Sequence, residues 1–341
     1  PQVDPRALHE VFGRLLPFRL GGKRRRVTAN VAICVPYLRF VGGSGYSIRV
    51  VRISMSNSIS VDSIICNRCG LCVTECPTGA MQLIAPSTAT VDPSLCINCG
   101  HCGAVCSPGA IGSKDGEFPT WHAPEIAAPS AKAFLAGRRS VRRYRSGPLE
   151  RDTLAEVLSI GPYAPTASNA QDVQARVFTG EGVFELATLV NDYYRWFDKL
   201  LRRRWLWPLL WFTAARPYLR NPRKLDSVRQ KLQRFDRNHD WLFFNAPAVV
   251  LLTAPSKNSS FGRVNCVIAA ERMMQYAAAL DLGSCMIGYA EIAIRNRKSI
   301  AQAVGITADQ EPHVLFTLGI PAVQYRRLPA RRAMPVSWDP A

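Results

Sequence analysis

Eight cysteines repeat one spacing. The first run is Cys66-x-x-Cys69-x-x-Cys72-x-x-x-Cys76-Pro77, and the second is Cys96-x-x-Cys99-x-x-Cys102-x-x-x-Cys106. Thiolates at this density suit soft, multi-atom inorganic cargo, and a cubane [4Fe–4S] cluster needs four of them around one small body. Three cysteines two residues apart wrap one cluster within a tight loop, and the fourth ligand comes from elsewhere. Gly70, Gly100 and Gly103 are expected to let the backbone approach the cluster. Structural zinc would instead use pairs of Cys-x-x-Cys across a longer gap. A disulfide framework would fit a small secreted chain, which this is not expected to be. The chemistry these residues offer is one-electron transfer.

The spacing is that of two-cluster ferredoxins, in which the fourth cysteine of each run ligates the other cluster. That resemblance implies Cys66, Cys69, Cys72 and Cys106 around one [4Fe–4S] cluster, and Cys96, Cys99, Cys102 and Cys76 around the other. The second run departs from the first by placing Ser107-Pro108 after its last cysteine. Cys34, Cys266 and Cys285 fall outside the pattern and read as core residues; His101 reads as a solvated loop side chain.

The chain is 341 residues long, enough for two or three domains. The spacing predicts a ferredoxin-type domain over 56–112, a Pro-rich linker over 113–130 and a larger domain over 131–341. The cluster region is too small for a large core, so the clusters should staple it. Residues 1–55 show no period and no convincing targeting segment, and are expected to be disordered or a start-site artefact, with the native start near Met55. The need for reduced thiols places the protein in the cytoplasm.

The net charge is +18. Residues 1–54 hold ten Lys/Arg against two acids, and 192–240 hold thirteen against five. No nucleic-acid-binding motif accompanies this charge, so acidic redox partners, anionic cofactors or a membrane surface are the expected targets, with membrane contact not favoured. Residues 192–240 also carry Trp196, Trp205, Trp207 and Trp211 among arginines. A substrate lid, plain packing or contact with an anionic membrane would each use that pattern.

The larger domain alternates helix and strand signals. Helices are expected over Ala131–Gly137, from an Asp152 cap to Ile160, over Val183–Arg204, and over Asn265–Leu280 with Gly283 as terminator. Strands are expected at 173–177, 248–253 and 313–318, the second fully buried. This is an α+β layered domain.

Four segments of it resemble the FMN-dependent nitroreductase family. They are Arg138-Arg139-Ser140-Val141-Arg142, Ala164-Pro165-Thr166-Ala167-Ser168-Asn169-Ala170-Gln171, Leu282-Gly283-Ser284-Cys285-Met286-Ile287-Gly288, and Leu318-Gly319-Ile320-Pro321 with Arg326-Arg327 and Arg331-Arg332 beyond it. The resemblance implies an α+β sandwich that forms a homodimer with each FMN at the subunit interface, which the apolar helix over 265–280 would suit. Arg138, Arg139, Ser140 and Arg142 would meet the phosphate, with Arg327 or Arg331 closing it. Pro165 and Thr166 would shape a loop offering Ser168, Asn169 and Gln171 to the flavin, with Ile287 and Gly288 alongside. No catalytic acid or base is assigned, and Tyr289 and Glu291 read as packing residues.

The function expected is an iron–sulfur flavoprotein oxidoreductase. An external donor, ferredoxin or NAD(P)H, would feed the clusters. The clusters would feed FMN, and FMN a small organic acceptor of the nitroaromatic, quinone or enone type. Two other classes compete: a non-enzymatic electron relay and a redox-sensing binding module.

Overall fold

The computed structural model describes residues 59–84, 86–212, 215–235, 240–256 and 261–339. The expectations for residues 1–55 and for Cys34 lie outside them. All described residues belong to one compact unit.

The cluster region is an internal repeat thirty residues apart. Strand β1 (Ile59–Val61) leads to a one-turn helix α1 (Leu71–Thr74), then β2 (Met81–Gln82); β3 (Thr90–Val91), α2 (His101–Ala104) and β4 (Ile111–Ser113) repeat the order. Each half closes on the other: β1 pairs with β4 and β2 with β3, both antiparallel. The loop bonds match as well. Asp62 N donates to Ala110 O and Asp92 N to Ala80 O, each at 2.7 Å. The turn after the fourth cysteine is also shared, with Gly79 N donating to Cys76 O and Gly109 N to Cys106 O. Shifting the proline from Pro77 to Pro108 therefore leaves the turn intact. Gly70 and Gly100 sit at φ 77° and 76°, which Gly adopts without a steric penalty. Gly103 serves a different purpose from the one expected. A Cβ there would meet the Phe118 ring at 2.5 Å, so the glycine admits a residue of the following segment.

Between Ser113 and Ala128 the chain has no helix or strand. Helix α3 (Ala128–Gly137) carries Pro129 in its first turn, where the missing N–H costs nothing. Helix α4 (Arg151–Ser159) is flanked by Glu150, not by a capping Asp152; Asp152 lies inside the first turn, where its charge complements the helix dipole.

Strand β5 (Gln174–Thr179) and helix α5 (Glu181–Leu201) follow. Short helices α6 (Trp207–Leu210) and α7 (Arg216–Arg220) precede α8 (Pro222–Phe235). Then come β6 (Ala248–Pro255), α9 (Gly262–Ala279), β7 (Gly283–Met286), α10 (Gly288–Asn296), α11 (Lys298–Ala303) and β8 (Gln310–Gly319). The sheet order is β5-β6-β8-β7, antiparallel throughout.

Strand β6 shows why the sheet is apolar on both faces. Val249 and Leu251 pack with α5, α8, α10 and α11, while Ala248, Val250, Leu252 and Ala254 pack with α4 and α9. The period of two divides one strand between two cores, the layered arrangement of an α+β sandwich.

Helix α9 ends at Ala279 with Leu280 as its C-cap, before the expected terminator. Gly283 instead begins β7, because a Cβ there would stand 2.6 Å from Val141 Cγ2.

The basic aromatic stretch is partly anchored. Asp198 of α5 is buried and binds Arg229 of α8 (2.7 Å) and Arg202 (2.8 Å), and Val228 and Leu232 of α8 are buried. Trp205, Leu209 and Phe212 are exposed, and the Arg216 and Arg220 guanidinium groups lie over Trp211.

Candidate functional site

The cysteines ring two hollows. One, of about 360 Å³ and open to solvent, is lined by Cys66, Cys69, Cys72 and Cys106. The other, of about 310 Å³, is lined by Cys76, Cys96, Cys99 and Cys102. The fold therefore gathers the thiols in the two crossed sets named from the sequence. Among the described residues no three His, Cys, Asp or Glu side chains close on a single-ion point; four thiols line each hollow instead.

Main-chain N–H groups point at these sulfurs. Met81 N lies 3.4 Å from Cys76 Sγ, Ala110 N 3.2 Å from Cys106 Sγ, and Asn98 N 3.4 Å from Cys96 Sγ. Such donors stabilise thiolate charge and tune a cluster's potential. The N–H groups of Ala89 and Arg68 pull the Cys66 thiol below its ordinary range. At Cys76, burial pushes upward, but the donors around Met81 and Thr78 outweigh it and leave the thiol lowered. Burial raises Cys72, and it raises Cys102 to about 11. His101 is exposed.

In the larger domain three of the four segments meet directly. Ser140 bridges Ser284 in parallel register, Val141 N donates to Ser284 O (2.9 Å), and Tyr144 bridges Pro321. Tyr144 Oη also donates to Val141 O (2.8 Å) and lies 2.7 Å from Thr317 Oγ1 of β8. The remaining segment reaches the site through α9. Buried Asn265 accepts from Ala167 N (3.3 Å) and donates to Asp172 Oδ1 (2.9 Å). The sequence reading missed Asn265, whose place in an almost wholly apolar helix was the available signal.

Burial raises the Cys285 thiol, with Arg142, the Ser140 hydroxyl and Arg138 opposing the rise, and Arg142 Nη1 donates to the Ser140 carbonyl at 3.5 Å. Ser140 and Arg142 are exposed, as a phosphate contact requires. Nothing stands within 4 Å of where a Gly288 Cβ would be, which leaves that backbone open. These residues fit a phosphorylated flavin.

Other candidates are engaged elsewhere. Arg138 pairs with Glu271 (3.3 Å). Arg139 donates to the carbonyls of Ala136 and Arg138, so its fork is turned onto its own backbone. Thr166 Oγ1 accepts from Gln171 N (3.0 Å), closing the loop of residues 166–171 that follows Pro165. Ser168, Asn169 and Gln171 all have positive φ. The Asn169 amide is spent on main-chain carbonyls of the second cluster loop and on Gln171. Ile287 is buried. Arg327 and Arg331 are exposed on an irregular segment after β8. Tyr289 and Glu291 are packing residues: Tyr289 meets Lys231 and Trp241, and Glu291 pairs with Arg295.

Residues 135–320 match the nitroreductase family and residues 58–107 match the 4Fe-4S dicluster domain. The first match spans more than half of the chain, which belongs to the nitroreductase family. The chain is 37% identical over 82 residues to a 4-nitrobenzoate reductase of Nocardioides sp. (strain LMS-CY), covering 23% of this chain and 33% of that protein. It is 26% identical over 167 residues to a 4-nitrobenzoate reductase of Pseudomonas putida, covering 45% and 70%. It thus spans about a third of the length of the first of these curated relatives. Among solved structures it is similar to a nitroreductase with bound FMN from Bacteroides fragilis (TM-score 0.43, 17% identity, 60% of this chain and 98% of that one). Another is a nitroreductase with bound FMN from Desulfitobacterium hafniense (TM-score 0.45, 15% identity, 61% and 96%). Among the described residues no helix is long and apolar enough to cross a membrane.

Proposed function

We propose that the chain carries two [4Fe–4S] clusters and FMN, and takes electrons from a low-potential donor to reduce a small organic acceptor of the nitroaromatic type. The observation that carries this is the joining, in one compact unit, of two four-thiol hollows to a domain where Ser140 and Arg142 meet beside Ser284 and Cys285. When bound, the clusters supply single-electron transfer and FMN supplies two-electron reduction. The protein's part is placement. Cys66, Cys69, Cys72 and Cys106 would hold one cluster, and Cys76, Cys96, Cys99 and Cys102 the other. Ser140 and Arg142 would take the flavin phosphate, with the Arg138 and Arg139 backbone framing it and Arg327 or Arg331 closing it from the C-terminal side. Thr166 fixes the loop of Pro165 to Gln171 by accepting from the Gln171 N–H. Ile287 closes the apolar side, and Gly288 leaves room for the ligand.

The two 4-nitrobenzoate reductases support a nitro-substituted aromatic acid as the acceptor class. A ferredoxin or NAD(P)H would be the donor, and a cytoplasmic homodimer the working form. The test substitutes Ser140→Ala with Arg142→Gln and measures flavin, iron and sulfide per chain. The expected outcome is flavin loss with cluster content unchanged. Full flavin retention would overturn the phosphate assignment.

A further inference from the structure

The two cluster loops are related by an internal repeat, yet they differ in what they touch. Asn169 Nδ2 donates to Ile97 O (3.2 Å) and Asn98 O (2.8 Å), both lying between ligand positions Cys96 and Cys99. Asn98 N is in turn aimed at Cys96 Sγ (3.4 Å). An unbroken run of bonds and hydrogen bonds therefore joins that sulfur to the segment of residues 164–171. On its far side the Asn169 carbonyl accepts from Gln171 Nε2 (3.1 Å), so donor and acceptor are both committed. Ser168, Asn169 and Gln171 hold left-handed backbone, φ 46° to 52°, and Asn98 (φ 51°) shares that conformation with its repeat mate Arg68 (φ 59°). Such conformations persist where surrounding bonds over-determine them. The equivalent loop of the first run turns inward: Asn67 Oδ1 accepts from Cys69 N, and Arg68 donates to Pro86 O. Cys69 is exposed, and Ile64 beside that loop is 94% exposed.

Resting on the flavoenzyme reading above, we infer that the cluster of Cys76, Cys96, Cys99 and Cys102 is the inner one. Asn169 is the positioning residue that fixes its loop against the flavin segment. The cluster of Cys66, Cys69, Cys72 and Cys106 is the outer one, where an external one-electron donor is oxidised. Each donor gives up one electron there, and one electron moves inward. Two such deliveries and two protons from water complete a two-electron reduction of the organic acceptor and return the clusters to their starting state.

The test uses the full chain, purified anaerobically with its cofactors, as wild type, Asn169→Gly and Asn169→Asp. Glycine removes the amide while accepting φ 52° freely, and aspartate keeps the shape but turns oxygen toward two carbonyls. Redox titration followed by electron paramagnetic resonance reads both clusters, and Cys106→Ser identifies the outer signal. The expected result is a shift in one cluster's potential and line shape, in the signal that survives Cys106→Ser. Flavin bleaching after cluster bleaching should slow on the order of tenfold as the docked state loses two hydrogen bonds. Selective loss of the second cluster would support the same assignment. Unchanged potentials and rates, a shift in the outer signal, or equal loss of both clusters would overturn it. A wild-type protein without flavin would sink the flavoenzyme reading instead, leaving the cluster signals to decide the clamp.

Discussion

Asn265→Leu removes a polar link with little change in volume. Asn265 is 2% exposed, and its amide holds both Ala167 N–H and the Asp172 carboxylate. A neutral hydrogen bond contributes about 1 kcal/mol net and one to a charged group about 1.5–3 kcal/mol. Asp172 is only half-buried and regains water when released, so the charged bond counts at its lower end. The loop of residues 164–172 should then open more easily by about 2.5 kcal/mol, or roughly seventyfold in its opening equilibrium. Hydrogen exchange of the holo-protein reads this directly at the Ala167 amide. Exchange should accelerate there and through Gln171, while the first cluster loop is unaffected and flavin retention falls. Asn265→Asp keeps the acceptor for Ala167 N–H but sets a second carboxylate against Asp172, so exchange should accelerate at least as much as in Asn265→Leu. Unchanged exchange over 164–172 in Asn265→Leu would refute the claim that α9 sets this loop.

The crossed ligand sets make a second expectation: Cys76→Ser should deplete the second cluster and Cys106→Ser the first, each lowering iron per chain by about half, read by iron analysis with spin resonance. Gly283→Ala forces a methyl into Val141 and should cost about 1–3 kcal/mol by overpacking, with weaker flavin retention; Val141→Ala in the same chain should restore much of it, read by melting and flavin content. His313 is buried with Nδ1 unpartnered in the described structure, and burial lowers its pKa despite Glu311 and Glu291, with Arg263 and Arg295 adding to the lowering. Its neutral form contributes stability that is complete above the unfolded value of about 6.5 and is lost as pH falls below it. Melting temperatures should therefore drop through that window, and less so in His313→Gln.

The two runs of cysteines could be read from the chain because their spacing is local, while the crossed sets were implied by the resemblance to two-cluster ferredoxins. Their spatial counterpart, two hollows with crossed lining, follows from the thirty-residue repeat. The apolar run at 248–253 was likewise legible as a strand covered on both sides. Asn169 was not. Its residue type suited a flavin contact, whereas its amide is taken by the carbonyls of Ile97 and Asn98, and main-chain acceptors leave no mark on sequence. Gly283 was legible as a special position but not for its cause. A glycine three residues past the expected helix end suggests a terminator, yet the constraint is Val141, more than a hundred residues away. Asp152 failed as a cap by the same logic, since a good capping residue within the first turn is indistinguishable from one just before it.

Passage of electrons through two clusters to a flavin in a single chain is tested most directly by an anaerobic reductive titration of the full protein. The expected uptake is about four electrons per chain, two through the cluster absorbance and two through the flavin band, all returned on adding a nitroaromatic acid. Uptake of about two electrons with no flavin band, or a reduced protein that such an acceptor leaves reduced, would contradict it.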